Sequence, residues 1–137
     1  METNMMLVWL GLLVVGGLIM FLVREQFQGA DLQHNLVGVW FNEHLNVQVL
    51  IYDVDSIFQG SIVWADNMNS SILGTRVLEN VRVGMFKKCK GYYIDPASAK
   101  EFDVTLQLKS KSVLKVTTFH KNTQDQVFVQ EWKLIKP

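Results

Sequence analysis

Three histidines, one cysteine and a scatter of carboxylates are the side chains of this chain best able to do chemistry, and their spacing gives them little to share. His34, His44 and His120 stand on separate segments. None lies two or four residues from another His or Cys, the spacing that puts two ligands on one side of a strand or helix, so zinc is not expected. Asp53-Val54-Asp55 can direct two carboxylates to one side of an extended chain, and Asp66-Asn67 adds hard oxygens of the kind calcium takes. The pattern lacks the loop glycine and terminal bidentate Glu of an EF-hand, which leaves hydrated turn carboxylates. Cys89 stands between Lys88 and Lys90, cations that favour a thiolate, but no suitable His or resolving Cys is near in sequence. No G-x-S-x-G, phosphate loop or dinucleotide-binding glycine pattern occurs. No enzymatic activity, metal or cofactor is expected. Asn69-Ser70-Ser71 is formally a glycosylation sequon, relevant only to a luminal eukaryotic domain.

Charge narrows the partners. The chain carries 13 basic and 13 acidic residues, mixed along its length. A nucleic-acid surface needs a clustered basic face, so none is expected. The densest basic stretch, Lys87-Lys88-Cys89-Lys90, reads as a solvated strand end or turn. A single cysteine excludes an internal disulfide.

The elements that must position these groups are strands. From Asp31 onward, β-branched and aromatic residues alternate with polar ones between short turns. Strands are predicted near Val37–Phe41, Val47–Asp53, Phe58–Ala65, Val81–Lys87, Gly91–Asp95, Glu101–Lys109, Val113–His120 and Val127–Ile135. In Glu101–Lys109, Phe102, Val104, Leu106 and Leu108 face one way and Asp103, Thr105, Gln107 and Lys109 the other. Eight short strands without helices to cover a parallel sheet predict an all-β soluble domain, an up-and-down antiparallel barrel, with a two-sheet sandwich as the alternative. The Asn- and Ser-rich stretch Asp66–Glu79 is predicted as a long loop. Loops of that length are often functional, and Asp66, Asn67, Asn69 and Arg76 are its candidate partner- or ligand-contacting residues.

Before the domain, Met5–Val23 is an unbroken apolar run. As a helix it would be roughly 28 Å long, close to the bilayer's hydrocarbon thickness of about 30 Å. A cleavable signal would need a basic n-region, a shorter apolar core and a small-x-small cut site, and these are missing. The predicted organisation is a short tail (1–4), a transmembrane helix (5–23), a linker (24–35) and the barrel domain (36–137). Trp9 and Phe21 lie near the two helix ends, and Gly11, Gly16 and Gly17 complete the candidate anchor or partner face without giving a small-xxx-small spacing. Arg24 alone would place the domain in the cytoplasm.

Gly38-Val39-Trp40, Val49-Leu50-Ile51-Tyr52, Gly60-Ser61-Ile62-Val63-Trp64, Ile94-Asp95-Pro96 and Glu131-Trp132-Lys133, in that order, resemble the bacterial family catalogued as domain of unknown function 2147. The resemblance spans roughly residues 36–135. It implies a calycin-like barrel, related in fold to the lipocalins and exported across a bacterial inner membrane, which would put the domain in the periplasm. It also implies a structural latch in which Trp40 packs against Lys133, a cation–π contact worth about 0.5–2 kcal/mol. Ala97-Ser98-Ala99 stands where that family usually has a glycine-containing turn after Asp-Pro, and the anchor stands where it has a signal peptide.

Two functions follow. One is a single-pass accessory subunit whose helix docks among other membrane proteins and whose barrel presents a surface. The other is a membrane-tethered carrier or sensor of a small apolar ligand. The inward rows separate them: if half of Trp40, Trp64, Tyr92, Tyr93, Phe102, Phe119, Phe128 and Trp132 point inward, little room is left for a ligand.

Overall fold

The structure, a computed structural model, describes residues 35–137. The apolar run 5–23, with Trp9, Gly11, Gly16, Gly17 and Phe21, lies outside the described residues, as does most of the linker after it. Among the described residues no helix is long and apolar enough to cross a membrane.

Eight antiparallel strands close into a barrel: β1 (Gly38–Asn42), β2 (Val47–Val54), β3 (Ile57–Ala65), β4 (Arg76–Val83), β5 (Lys88–Ile94), β6 (Glu101–Ser110), β7 (Val113–Phe119) and β8 (Gln126–Lys136). Each strand pairs with the next, and β8 returns to β1, so the sandwich alternative is set aside. Period-two alternation builds the wall. Phe102, Val104 and Leu106 are buried on β6, as are Leu114 and Val116 on β7, while their sequence neighbours face out.

One strand departs from its prediction. β4 starts at Arg76, not at Val81, so the loop before it spans residues 66–75 and Arg76 to Glu79 belong to the wall. The reason is a bulge. Glu79 pairs with Tyr92 and Arg82 with Lys90, so Asn80 and Val81 share the single position opposite Gly91. Asn80 takes the left-handed conformation at φ 52° that such an insertion demands. A Cβ on Gly91 would lie 2.7 Å from the Val81 Cα, so only glycine lets the bulged strand come this close. The next turn moves accordingly. It spans residues 84–87, and Cys89, expected in a solvated strand end or turn, does lie near the start of β5 but is fully buried.

The barrel has two dissimilar ends. At one, the hairpin end, the chain arrives through Asn35–Leu36 and tight hairpins join β2 to β3, β4 to β5 and β6 to β7. Asp55 and Ser56 (φ 54° and 67°) and Phe86 and Lys87 (both φ 59°) take the paired left-handed conformation of type I′ turns, whose twist matches the strands they join. At the other, the loop end, the connections are longer, and residues 67–72 form a 3₁₀ turn.

Candidate functional site

The lumen is occupied by the protein itself. Trp40, Trp132, Phe58, Ile51, Ile62, Leu78, Leu106 and Leu114 are fully buried in it. Of the eight aromatics that decide the question, Trp40, Tyr93, Phe102 and Trp132 are buried and Phe128 packs half-buried against them. Trp64 and Tyr92 stand on the outer wall, 42% and 37% exposed, and Phe119, half-buried, faces the same way at the end of β7. Phe58, which is not one of those eight, is among the largest interior side chains. Its place at the start of a strand gave no sign of which way it pointed.

At the hairpin end the Trp40 indole N–H donates to the Leu36 carbonyl at 3.0 Å, and both residues are sealed from solvent. The expected Trp40–Lys133 latch does not form. Trp40 faces the lumen and pairs in register with Leu134, whereas Lys133 pairs with Phe41 and points outward, one step along a strand being a change of face. The cation–π contacts among the described residues are Lys121 over Tyr92 at 4.5 Å and Lys100 over Phe102 at 5.3 Å. Higher in the lumen, the Trp132 N–H donates to Gln130 Oε1 at 3.1 Å.

The loop end is where a barrel of this shape would open, and here side chains cover it. Asp66 caps the 3₁₀ turn by accepting from the Asn69 amide at 2.9 Å and holds the β1–β2 loop by accepting from Asn46 Nδ2 at 3.1 Å. Asn69 Nδ2 donates back to the Leu45 carbonyl at 3.2 Å. This net fixes Leu45 and Ile72 against the core and leaves Met68 94% exposed. Of the four predicted loop residues, Asp66 and Asn69 thus tie the cover down. Asn67 begins the 3₁₀ turn, and Arg76 sits in β4 with its guanidinium 3.7 Å from Glu79.

Towards the loop ends of β5, β7 and β8 lie two features the sequence did not announce. The rings of Tyr93 and Phe128 meet edge to face at 5.3 Å, bridging the non-adjacent strands β5 and β8 across the lumen. Burial, with a smaller push from the Asp95 charge, raises the Tyr93 hydroxyl to about 12. Thr118, in register between Val104 and Phe128, is buried with its hydroxyl oxygen lacking any hydrogen-bond partner. Such a group costs about 1–3 kcal/mol.

Among the described residues the histidines and the cysteine stand apart from one another. Burial pushes the Cys89 thiol up to about 11, the opposite of an activated nucleophile. His44 sits exposed in the β1–β2 loop, and the His120 ring lies 5.6 Å from that of Phe102. His34 lies outside the described residues. Among the described residues no three His, Cys, Asp or Glu side chains gather as metal ligands would. On the outer wall a groove of about 610 Å³ runs beside the bulge, lined by Asn80, Arg82, Lys90, Tyr92, Asp103 and Gln124. Its surroundings are ion-paired: Lys121 meets Glu101 at 2.8 Å, a hydrogen bond that raises the lysine's pKa.

No protein-family model and no curated protein matches the chain. Among solved structures, protein HP1028 from the human pathogen Helicobacter pylori, described as belonging to the lipocalin family, is similar to it. The TM-score is 0.57 at 14% identity, over 73% of this chain and 82% of that one. The barrel is lipocalin-like. At that identity the likeness is one of fold, and function has to be argued from the site. What the lipocalin-like barrel offers is a filled lumen and a fastened cover.

Proposed function

We propose that this protein is a non-enzymatic accessory subunit of a membrane assembly. The apolar run 5–23 holds it in the bilayer, and the lipocalin-like barrel presents its rims and outer wall to neighbouring membrane chains. The observation that carries the reading is the filled lumen. With Trp40, Trp132 and Phe58 buried inside, the surface is what the domain has to offer a partner. Kinship with the family catalogued as domain of unknown function 2147, carried by Gly38-Val39-Trp40 and the motifs that follow it, is part of this proposal, as is a bacterial inner-membrane location with the barrel in the periplasm. Affinity purification of the full chain in mild detergent tests it. The expected result is a stoichiometric set of co-purifying membrane proteins, lost when residues 5–23 are replaced by an unrelated membrane span; purification as a detergent monomer with a bound small molecule is the result that overturns it.

One observation favours a second reading, carriage of a small apolar ligand with a single polar group. The partnerless Thr118 hydroxyl lies beside the Tyr93–Phe128 pair towards the loop end, and the mouth of a β-barrel is a common place for a ligand. Mass spectrometry of organic extracts from the purified protein discriminates, since a carrier yields one molecule at near-equal stoichiometry.

A further inference from the structure

Apart from Glu79, Arg82, Lys90 and Lys115 on the wall between, the described charges are sorted by end. Around the hairpin end stand Lys87, Lys88, Lys109, Lys111, Lys133 and Lys136, against Asp53, Asp55 and Glu131. Towards the loop end stand Glu43, Asp66, Asp95, Glu101, Asp103 and Asp125, against Arg76, Lys100 and Lys121. Ion pairs consume some of each set: Lys109 with Glu131 at 2.6 Å, Lys121 with Glu101 at 2.8 Å, and Arg76 with Glu79 at 3.7 Å. What survives is more polarised. Lys87, Lys88, Lys111, Lys133 and Lys136 remain on the arc from β5 to β8, with Asp53 and Asp55 confined to the hairpin beside it.

The same end carries the barrel's most exposed aromatic. Met85 and Phe86, at the tip of the β4–β5 hairpin, are 73% and 77% exposed. Phe86 is held there in a left-handed conformation, φ 59°, that a bulky side chain adopts only at a cost of about 1–2 kcal/mol and that Asn or Gly would take more easily. A strained turn displaying two large apolar side chains beside paired lysines is the chemistry of a membrane interface: the apolar tip enters the headgroup boundary and the cations meet anionic lipid. The chain's own path agrees. It arrives at the hairpin end through Asn35, and residues 24–34 alone separate that point from the apolar run, a contour of about 40 Å at full extension.

We propose that the hairpin end is a second, peripheral membrane contact, with Met85 and Phe86 seated in the interface and Lys87, Lys88, Lys111 and Lys136 on anionic headgroups, so that the acidic loop end faces away from the bilayer. This rests on the membrane-tethered reading of residues 5–23.

The test uses the full chain reconstituted into vesicles of phosphatidylcholine with phosphatidylglycerol, and of phosphatidylcholine alone. A polarity-sensitive fluorophore is attached at Phe86→Cys or, at the far end, at Met68→Cys; the native Cys89 is buried and is left unlabelled. Brominated acyl chains then report contact with the bilayer. Quenching several-fold greater at position 86 than at 68, strongest with phosphatidylglycerol and reduced by salt or by Lys87→Gln with Lys88→Gln, is the expected result. Equal quenching at both positions, or none at 86 in a chain retained in the bilayer, overturns the contact. So does crosslinking of position 86 to a membrane protein in native membranes without lipid quenching. Release of the chain from the vesicles by alkaline wash instead overturns the tether on which the proposal rests, and the two failures are distinguishable.

Discussion

The Trp40 indole reaches the carbonyl of Leu36 and not the ammonium of Lys133. The hairpin end is therefore stoppered by a neutral hydrogen bond within one short stretch of chain. Replacing Trp40 with Phe keeps most of the ring and leaves the Leu36 carbonyl without its donor, for a loss of about 1–3 kcal/mol. Trp40→Ala should cost about 3–5 kcal/mol. Lys133→Gln should stay within about 0.5 kcal/mol of the parent. Urea denaturation separates them, and a Lys133→Gln loss equal to that of Trp40→Phe would restore the cation latch.

Alkaline pH should weaken the barrel through its buried thiol. The folded state holds the Cys89 proton more tightly than the unfolded chain does, up to about 11 against an ordinary 9.0. That stabilisation is whole below about pH 9 and is lost as pH rises towards 11, on the order of 2–3 kcal/mol. Tyr93, raised to about 12, continues the loss above pH 10. Denaturation midpoints at pH 8 and pH 10.5 should fall steeply in the parent and less in Cys89→Val. An equal fall in both would remove Cys89 from the account.

Asp66 fastens two loops with one carboxylate. Asp66→Ala should cost about 1–2 kcal/mol, the range for a lost cap. The effect should be local: amide hydrogen exchange should quicken over residues 67–74 while β6 and β7 keep their protection. Loss of protection throughout the barrel would mean that the cover holds the wall together.

Thr118→Val keeps the shape of the side chain and deletes a hydroxyl with nothing to bond. Removing that penalty should stabilise the barrel by about 1 kcal/mol, read as a higher thermal midpoint. A destabilised variant would show that the hydroxyl has a partner in solution, which would strengthen the small-ligand reading.

The architecture was legible where one rule acted alone. In Glu101–Ser110 the alternation of apolar and polar residues runs unbroken, because one face meets the lumen and the other water, and the strand lies where it was expected. β4 was not legible because Glu79-Asn80 looks like the end of a loop, when Asn80 in fact supplies the left-handed residue of a bulge. Because β4 starts at Arg76, the following turn comes earlier in the chain, and Cys89 lies buried near the start of β5. The cover over the loop end was half legible. A polar loop was plain in the sequence, but the Asn46–Asp66 and Asn69–Leu45 bonds join residues about twenty apart or more, which no local pattern records. The lysines of the hairpin end were invisible for a similar reason: mixed along the chain, they gather only once the strands run up and down.

A lumen filled by its own side chains also limits what mutation can make of this fold. Opening room for a bulky guest would mean trimming Trp40 or Trp132, at about 3–5 kcal/mol each, against a total stability of roughly 5–15 kcal/mol for a domain of this kind. One such step is survivable and two threaten folding. Novelty is therefore easier to gain on the rims and outer wall, where substitutions are nearly neutral. Descendants of this barrel should differ first in the company they keep, and only later in what they enclose.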